Sequence, residues 1–128
     1  MIKLITIDVD GTLLTPLKRL TKSNIIAIEK AKKAGVHIAL ASGRPYSGMQ
    51  PLVERLKLNQ EGNFTVCQNG SYIFDNFTHK PLSGTFQNPI DLKIIDDLLK
   101  NFDIQISAMD HESFYSRHVK PNIYTKID

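Results

Sequence analysis

Cysteine is almost missing from this sequence, with Cys67 the only one in 128 residues. That excludes an internal disulfide and a cysteine-built metal cluster. Its place in the apolar run 64–67 suits a small buried residue better than a nucleophile. Long apolar runs are lacking as well. No stretch approaches the length that crosses a bilayer, and Asp8 and Asp10 interrupt the N-terminal run before a signal-peptide core is complete. A cytoplasmic location with no membrane partner is expected. Nor is there much charge of one sign, since 16 Lys and Arg against 13 Asp and Glu leave a net +3. The densest basic group, Lys30, Lys32 and Lys33, falls in the last turn of an expected helix, where cations favour the negative end of the helix dipole. No nucleic-acid partner is expected from so slight an excess. Glycine and proline are few, 7 and 6, while 41% of residues are hydrophobic and 23% charged. This is an ordinary globular composition, long enough to bury one core, and length alone predicts one domain.

Residues 1–9 form a short, β-branched apolar run that suits a strand buried on both faces of a parallel sheet. Gly11 ends it. Thr21 is a plausible N-cap for a helix through Ile25, Ile28 and Ala31, with Gly35 as its stop. Residues 36–41 read as a second strand. Ser42-Gly43-Arg44-Pro45 breaks that run, and Pro45 opens a second helix carrying Met49, Leu52, Val53 and Leu56. Residues 64–67 read as a third strand, ended by the turn signal Asn69-Gly70. Strand, helix, strand, helix, strand is the order of a parallel sheet with crossover helices. Ligands of such sheets bind outside the carboxyl ends of the strands. Those ends carry Asp8 and Asp10, then Ser42 and Gly43, then Asn69 and Gly70, so three polar loops are expected to converge on one edge.

Beyond Asn69 the texture changes. Residues 72–74 and 84–87 read as hairpin strands, Asn88-Pro89 starts a helix carrying Ile90, Ile94, Ile95, Leu98 and Leu99, and residues 104–108 and 113–116 read as a further strand pair. A second domain is expected to begin around Lys80. Of the histidines, His37 lies within a strand and reads as structural. His79, His111 and His118 read as solvated, and no two share metal-ligand spacing.

Asp-Val-Asp-Gly-Thr at 8–12 is the decisive segment. Carboxylates at i and i+2 of a strand point to the same face, and at a strand end before a glycine turn both can reach one small substrate. Like charges so close repel unless a cation intervenes. Mg²⁺ suits, because it needs only one or two carboxylates plus waters and phosphate oxygens. A calcium-binding EF-hand loop with its glycine at Gly11 would start at Thr6 and end at Leu17, where acids are required, so that reading fails. No glycine-rich dinucleotide fingerprint follows the first strand either.

With these residues in view, DVDGTLL at 8–14 resembles the first signature of the haloacid dehalogenase-like phosphatases. ASGRP at 41–45 resembles their second, in the Cof-type branch that carries a large α/β cap, and Asn69-Gly70 matches the turn after that branch's third strand. The resemblance covers essentially the whole chain. It implies a three-layer, Rossmann-like parallel sheet over residues 1–80, the N-terminal part of the core, followed by the start of an α+β cap over residues 81–128. It implies Asp8 as nucleophile and Mg²⁺ ligand. Asp10 becomes general acid and then base, with its main-chain carbonyl on the metal. The amides of Val9 to Gly11, with Thr12 beside them, would hold phosphoryl oxygens, joined by the Ser42 hydroxyl and the Gly43 amide. Arg44 and Asn69 stand as candidate substrate contacts, although Arg44 could equally pair with a neighbouring acid and Asn69 could serve only as a left-handed turn. The family's lysine beyond the cap and its acidic GDxxND-like loop do not occur in the 128 residues. A fragment of about half a usual member is therefore expected, poorly active alone and prone to self-association through open sheet edges. The implied substrate is a small phosphorylated metabolite. A phosphomutase of the same superfamily and a non-catalytic phosphate-binding domain are the alternatives.

Overall fold

The first apolar run becomes β1 (Leu4–Asp8), the second β2 (His37–Ala41) and the third β3 (Phe64–Cys67), and the computed structural model describes residues 2–110 and 114–116. β1 pairs with β2 and β2 with β3, both in parallel, with Asp8 opposite Ala41 and Ala41 opposite Val66. That register brings the carboxyl ends of all three strands level. β4 (Tyr72–Asp75) and β5 (Lys80–Gly84) then add antiparallel, giving a mixed five-stranded sheet in the order β1-β2-β3-β4-β5.

Between the parallel strands run α1 (Lys22–Lys33) and α2 (Tyr46–Arg55). The Thr21 hydroxyl accepts the Asn24 N–H at 3.2 Å and caps α1, satisfying one of the four amides that a helix start leaves unpaired. Gly35, at φ +77°, ends it in the left-handed conformation that glycine tolerates. Pro45 is itself the N-cap of α2 rather than its first residue. Lys32, in the last turn of α1, donates to the carbonyls of Leu56 and Lys57 at the end of α2, which ties the two helices together. Ile38 and Leu40 of β2, Met49 and Val53 of α2, Val9, Leu58 and Cys67 are wholly or almost wholly buried in one apolar cluster. Each large member contributes about 1.5–3 kcal/mol. Beneath them Asn63, also buried, accepts the Ile38 N–H at 2.9 Å through its Oδ1.

The fifth strand occupies 80–84, not the expected 84–87. The Asp75 carboxylate accepts the N–H groups of Phe77 and Thr78 at 2.8 and 3.2 Å, and His79 takes φ +54°. This side-chain turn closes the hairpin early and sets Lys80 opposite Asp75. Pro81 is tolerated because β5 is an edge strand. α3 (Pro89–Leu99) follows, capped by Asn88, and the short strands β6 (Ser107–Met109) and β7 (Phe114–Ser116) pair antiparallel. β6 thus starts later than the alternation at 104–108 suggested. Ser113, His111 and His118 lie outside the described residues. His37 opens β2 with its ring exposed beside Gly62, where an added Cβ would come within 2.2 Å of its Nδ1. His79 is exposed but not merely solvated, because its Nδ1 hydrogen-bonds the Tyr46 hydroxyl at 3.0 Å. Among the described residues no helix is long and apolar enough to cross a membrane.

Candidate active site

Level strand ends gather the three polar loops. In the first, Val9 is fully buried and its N–H donates to the Ala41 carbonyl at 3.1 Å, extending the β1–β2 ladder by one residue. The N–H groups of Leu13 and Leu14 return to the carbonyls of Asp8 and Val9 at 3.0 and 2.9 Å. Gly11 sits at the tip with φ +84°, a conformation that a side chain would strain. The buried side chains of Leu13 and Leu14 anchor the loop, so Asp8, Asp10, Gly11 and Thr12 remain exposed on a fixed backbone.

The second and third loops are tied to each other by main chain. Ser42 donates its N–H to the Val66 carbonyl at 3.0 Å, Asn69 donates to the Ser42 carbonyl at 3.3 Å and Gln68 to the Arg44 carbonyl at 3.1 Å. Asn69 adopts φ +57°, ψ +32°, and its side chain lies over Gly43, where a Cβ would stand 3.0 Å from its Oδ1. Glycine at 43 is what lets the two loops close against each other.

Asp10 joins the first loop to the second. Arg44 grips it with a two-pronged contact, Nε to Oδ2 at 3.0 Å and Nη2 to Oδ1 at 2.8 Å. The Ser42 hydroxyl approaches Oδ2 at 3.4 Å, and Lys18 Nζ lies 3.6 Å from Oδ1. The Arg44 hydrogen bond holds the Asp10 carboxyl below the usual carboxylate range against an opposing push from partial burial. The charges of Arg44 and Lys18 and the Ser42 contact lower it further. Among the described residues the Asp8 carboxylate makes no side-chain hydrogen bond or ion pair.

All nine expected site residues lie on these three loops. Val9 offers no amide to a ligand, because Ala41 already holds it. Arg44 faces Asp10, the ion pair left open by its place before a helix. Lys18 was not foreseen. It comes to Asp10 because the chain doubles back between bridged Leu14 and Leu20, with the Lys18 N–H on the Thr15 carbonyl at 2.8 Å. Nothing in a lone lysine of a polar loop announces that return. No cluster of three or more His, Cys, Asp or Glu able to hold a metal occurs among the described residues.

A parallel β1-β2-β3 unit with its polar loops gathered at the strand ends defines an α/β protein whose ligand site lies at that edge. The sequence pattern of the haloacid dehalogenase-like hydrolases matches residues 5–127, and the chain belongs to that family. A protein of Streptococcus pyogenes that carries a phosphatase name is 33% identical over 124 residues, 97% of this chain and 46% of that protein. The pyridoxal phosphate phosphatase YbhA of Escherichia coli is 37% identical over 73 residues, 57% of this chain and 26% of that protein. A solved haloacid dehalogenase-like hydrolase from Bacteroides thetaiotaomicron has the same fold, with a TM-score of 0.86 at 24% identity over 99% of this chain and 48% of its own. The chain spans about half the length of the curated relatives that it matches along most of its length.

Proposed function

We propose that this chain carries the catalytic loops of a magnesium-dependent phosphohydrolase that acts on small phosphorylated metabolites through an aspartyl-phosphate. The observation behind this reading is the contrast between two acids on one loop. Asp8 stands exposed and uncommitted at the end of β1, whereas Asp10 is clasped by Arg44. An uncommitted carboxylate can attack, and a clasped one can be aimed. The relationship to a pyridoxal phosphate phosphatase supports the substrate class. On this reading residues 1–80 are the N-terminal part of the core and residues 81–128 begin a cap.

In the first displacement an Asp8 oxygen bonds to phosphorus, the bond from phosphorus to the alcohol oxygen breaks, and Asp10 gives that oxygen its proton. In the second, water attacks phosphorus, Asp10 takes the proton, and Asp8 is released with inorganic phosphate. A carboxylate is a weak nucleophile, so alignment and charge neutralisation must supply most of the rate. The Ser42 hydroxyl, the Gly43 amide and amides of the first loop can donate to phosphoryl oxygens, each such donor being worth about 10² to 10³ in rate. The Asn69 side chain packs over Gly43, and its N–H donates to the carbonyl of the preceding Ser42. Because Arg44 disfavours a proton on Asp10, the first step requires that contact to loosen, whereas the second uses the carboxylate as it stands.

The donors present fit a hard cation, since the Asp8 carboxylate is free among the described residues and the Asp10 main-chain carbonyl lies on the same loop. Bound there, Mg²⁺ would offset phosphoryl charge. The test is capture of the acyl phosphate. The chain incubated with acetyl phosphate and Mg²⁺, quenched in acid and digested should carry phosphate on Asp8. Asp8→Asn should abolish the adduct, and Asp10→Asn should make it accumulate. Phosphate on another residue, or none on either the unaltered chain or the Asp10→Asn variant, sinks the reading.

A further inference from the structure

We propose that Gln68 is a positioning residue for the Arg44–Asp10 pair, through which the strand pair β6–β7 fixes where the Asp10 carboxylate is aimed. This inference rests on the phosphohydrolase reading, because only there does the aim of Asp10 matter. The contacts stand in line. Arg44 holds both Asp10 oxygens, at 2.8 and 3.0 Å. The Arg44 carbonyl accepts the Gln68 N–H at 3.1 Å. The Gln68 side chain donates through Nε2 to the carbonyl of Asp110, which directly follows β6. Asp110 is bound to β7 as well, since its Oδ2 accepts the Tyr115 hydroxyl at 2.9 Å. A path of hydrogen bonds thus joins the second strand pair, by way of the third loop, to the acid on the first.

Gln68 is poorly explained as filling. Only 9% of it is exposed, a place where a polar side chain is rare and where an amide without a partner is costly. Its backbone takes φ +51° and that of Asn69 φ +57°, in the left-handed region that residues with a Cβ disfavour. Two such residues in succession persist only where their surroundings hold them. Two of the holds on Gln68 are the Arg44 carbonyl, on its main chain, and the Asp110 carbonyl, on its side chain. Without the second, the buried amide must turn to another partner, which lets the strained pair relax and slackens the first. The Arg44 backbone is then freer, and its guanidinium meets Asp10 for less of the time. Pairing of β6 with β7 keeps Asp110 in place, so a contact inside the site depends on a residue 42 positions along the chain from Gln68.

The Arg44 Nε–H reports the clasp directly, because its exchange with solvent slows while Asp10 holds it. Followed by NMR in the isotope-labelled chain at one fixed pH, that exchange should quicken about two- to fivefold in Gln68→Met, the range of an exposed ion pair. Methionine keeps the length and bulk of the side chain but donates nothing. Tyr115→Phe, which removes the hydroxyl that Asp110 accepts, should quicken the exchange in the same sense by less. Asn63→Ala, which strands a buried amide near the start of β2, should leave it unchanged and so separates loss of aim from loss of stability. An unchanged rate in Gln68→Met, or an equal quickening in Asn63→Ala, overturns the inference while leaving the phosphohydrolase reading intact. Should Gln68→Met fail to fold, an unchanged rate in Tyr115→Phe overturns it alone. If acetyl phosphate places no phosphate on Asp8 in either the unaltered chain or Asp10→Asn, the reading fails and the inference with it.

Discussion

Asp8 and Asp10 sit two residues apart, yet Arg44 clasps only Asp10, and on the proposed reading this difference lets one loop hold both an attacking group and a proton carrier. Arg44 makes the difference. Replacing it with methionine should raise the Asp10 pKa, as read from its side-chain carboxyl shift in a pH titration. The sign for stability follows from the lowered folded value. Asp10's contribution is present above the ordinary carboxylate value, about 3.9, and is lost as pH falls through its folded value, so Arg44→Met should flatten the acid limb of urea stability. With Asp10's side chain 40% exposed, the effect should stay below about 1 kcal/mol. Cys67 titrates in the opposite sense. Burial pushes its thiol up to about 12 from an ordinary 9.0, so the unfolded chain ionises first. Stability fully present below pH 9.0 is then lost towards 12, at most about 1.4 kcal/mol per pH unit. Cys67→Ala should lower stability at neutral pH but lose that alkaline slope. A slope unchanged in the variant would place the effect on other groups.

Elements were legible where a periodic apolar run met a terminator. β1, β2 and β3, both crossover helices, the Thr21 cap and the Gly35 stop could all be read from pattern, because short β-branched apolar runs and helix-end hydrogen bonding leave local signatures. The burial expected on both faces of the first strand is not found, since β1 lies at a sheet edge with Leu4, Ile5 and Thr6 exposed. What could not be read depended on partners remote in sequence or on a side chain acting as backbone. β5 starts four residues early because the Asp75 carboxylate shapes its own turn. Lys18 is brought to Asp10 by a bridge between Leu14 and Leu20. Asn63 looks like an unremarkable loop residue, but it is buried and serves as acceptor for a β2 amide. Asn63→Ala should cost about 1–3 kcal/mol in urea denaturation, since it strands the Ile38 N–H in the interior. Thr21→Ala, at a solvent-accessible cap, should cost only about 1 kcal/mol. If the two losses came out reversed, burial would not be what sets the cost of these polar contacts.

At the scale of the whole molecule, the first half of the chain is finished on one side and open on the other. Helices pack on β2 and β3, while β1 lies at a sheet edge with Leu4 and Ile5 partly exposed. α3 buries none of its residues, and Ile90, Ile94 and Leu98, which share one face at four-residue spacing, are 65%, 52% and 69% exposed. Apolar surface of this kind is costly to leave in water, and an open strand edge offers unpaired backbone groups. The isolated chain should therefore self-associate, its apparent mass in sedimentation rising with concentration and with sulfate, which strengthens apolar burial. The two surfaces can be separated. Ile94→Lys with Leu98→Lys removes the helix face, and Ile5→Lys places a charge on the edge strand. Loss of association in the helix variant alone assigns it to α3, loss in the strand variant alone assigns it to β1, and a monomer at every concentration in the unaltered chain defeats the expectation. The same openness bears on catalysis. On the proposed reading the chain holds the loops for attack and proton transfer, whereas the lysine and acidic loop that the resemblance implies do not occur in its 128 residues, so its turnover of a chromogenic phosphate ester with Mg²⁺ should be slow. Rates matching those of full-length relatives would mean that the groups on β1, β2 and β3 suffice without them.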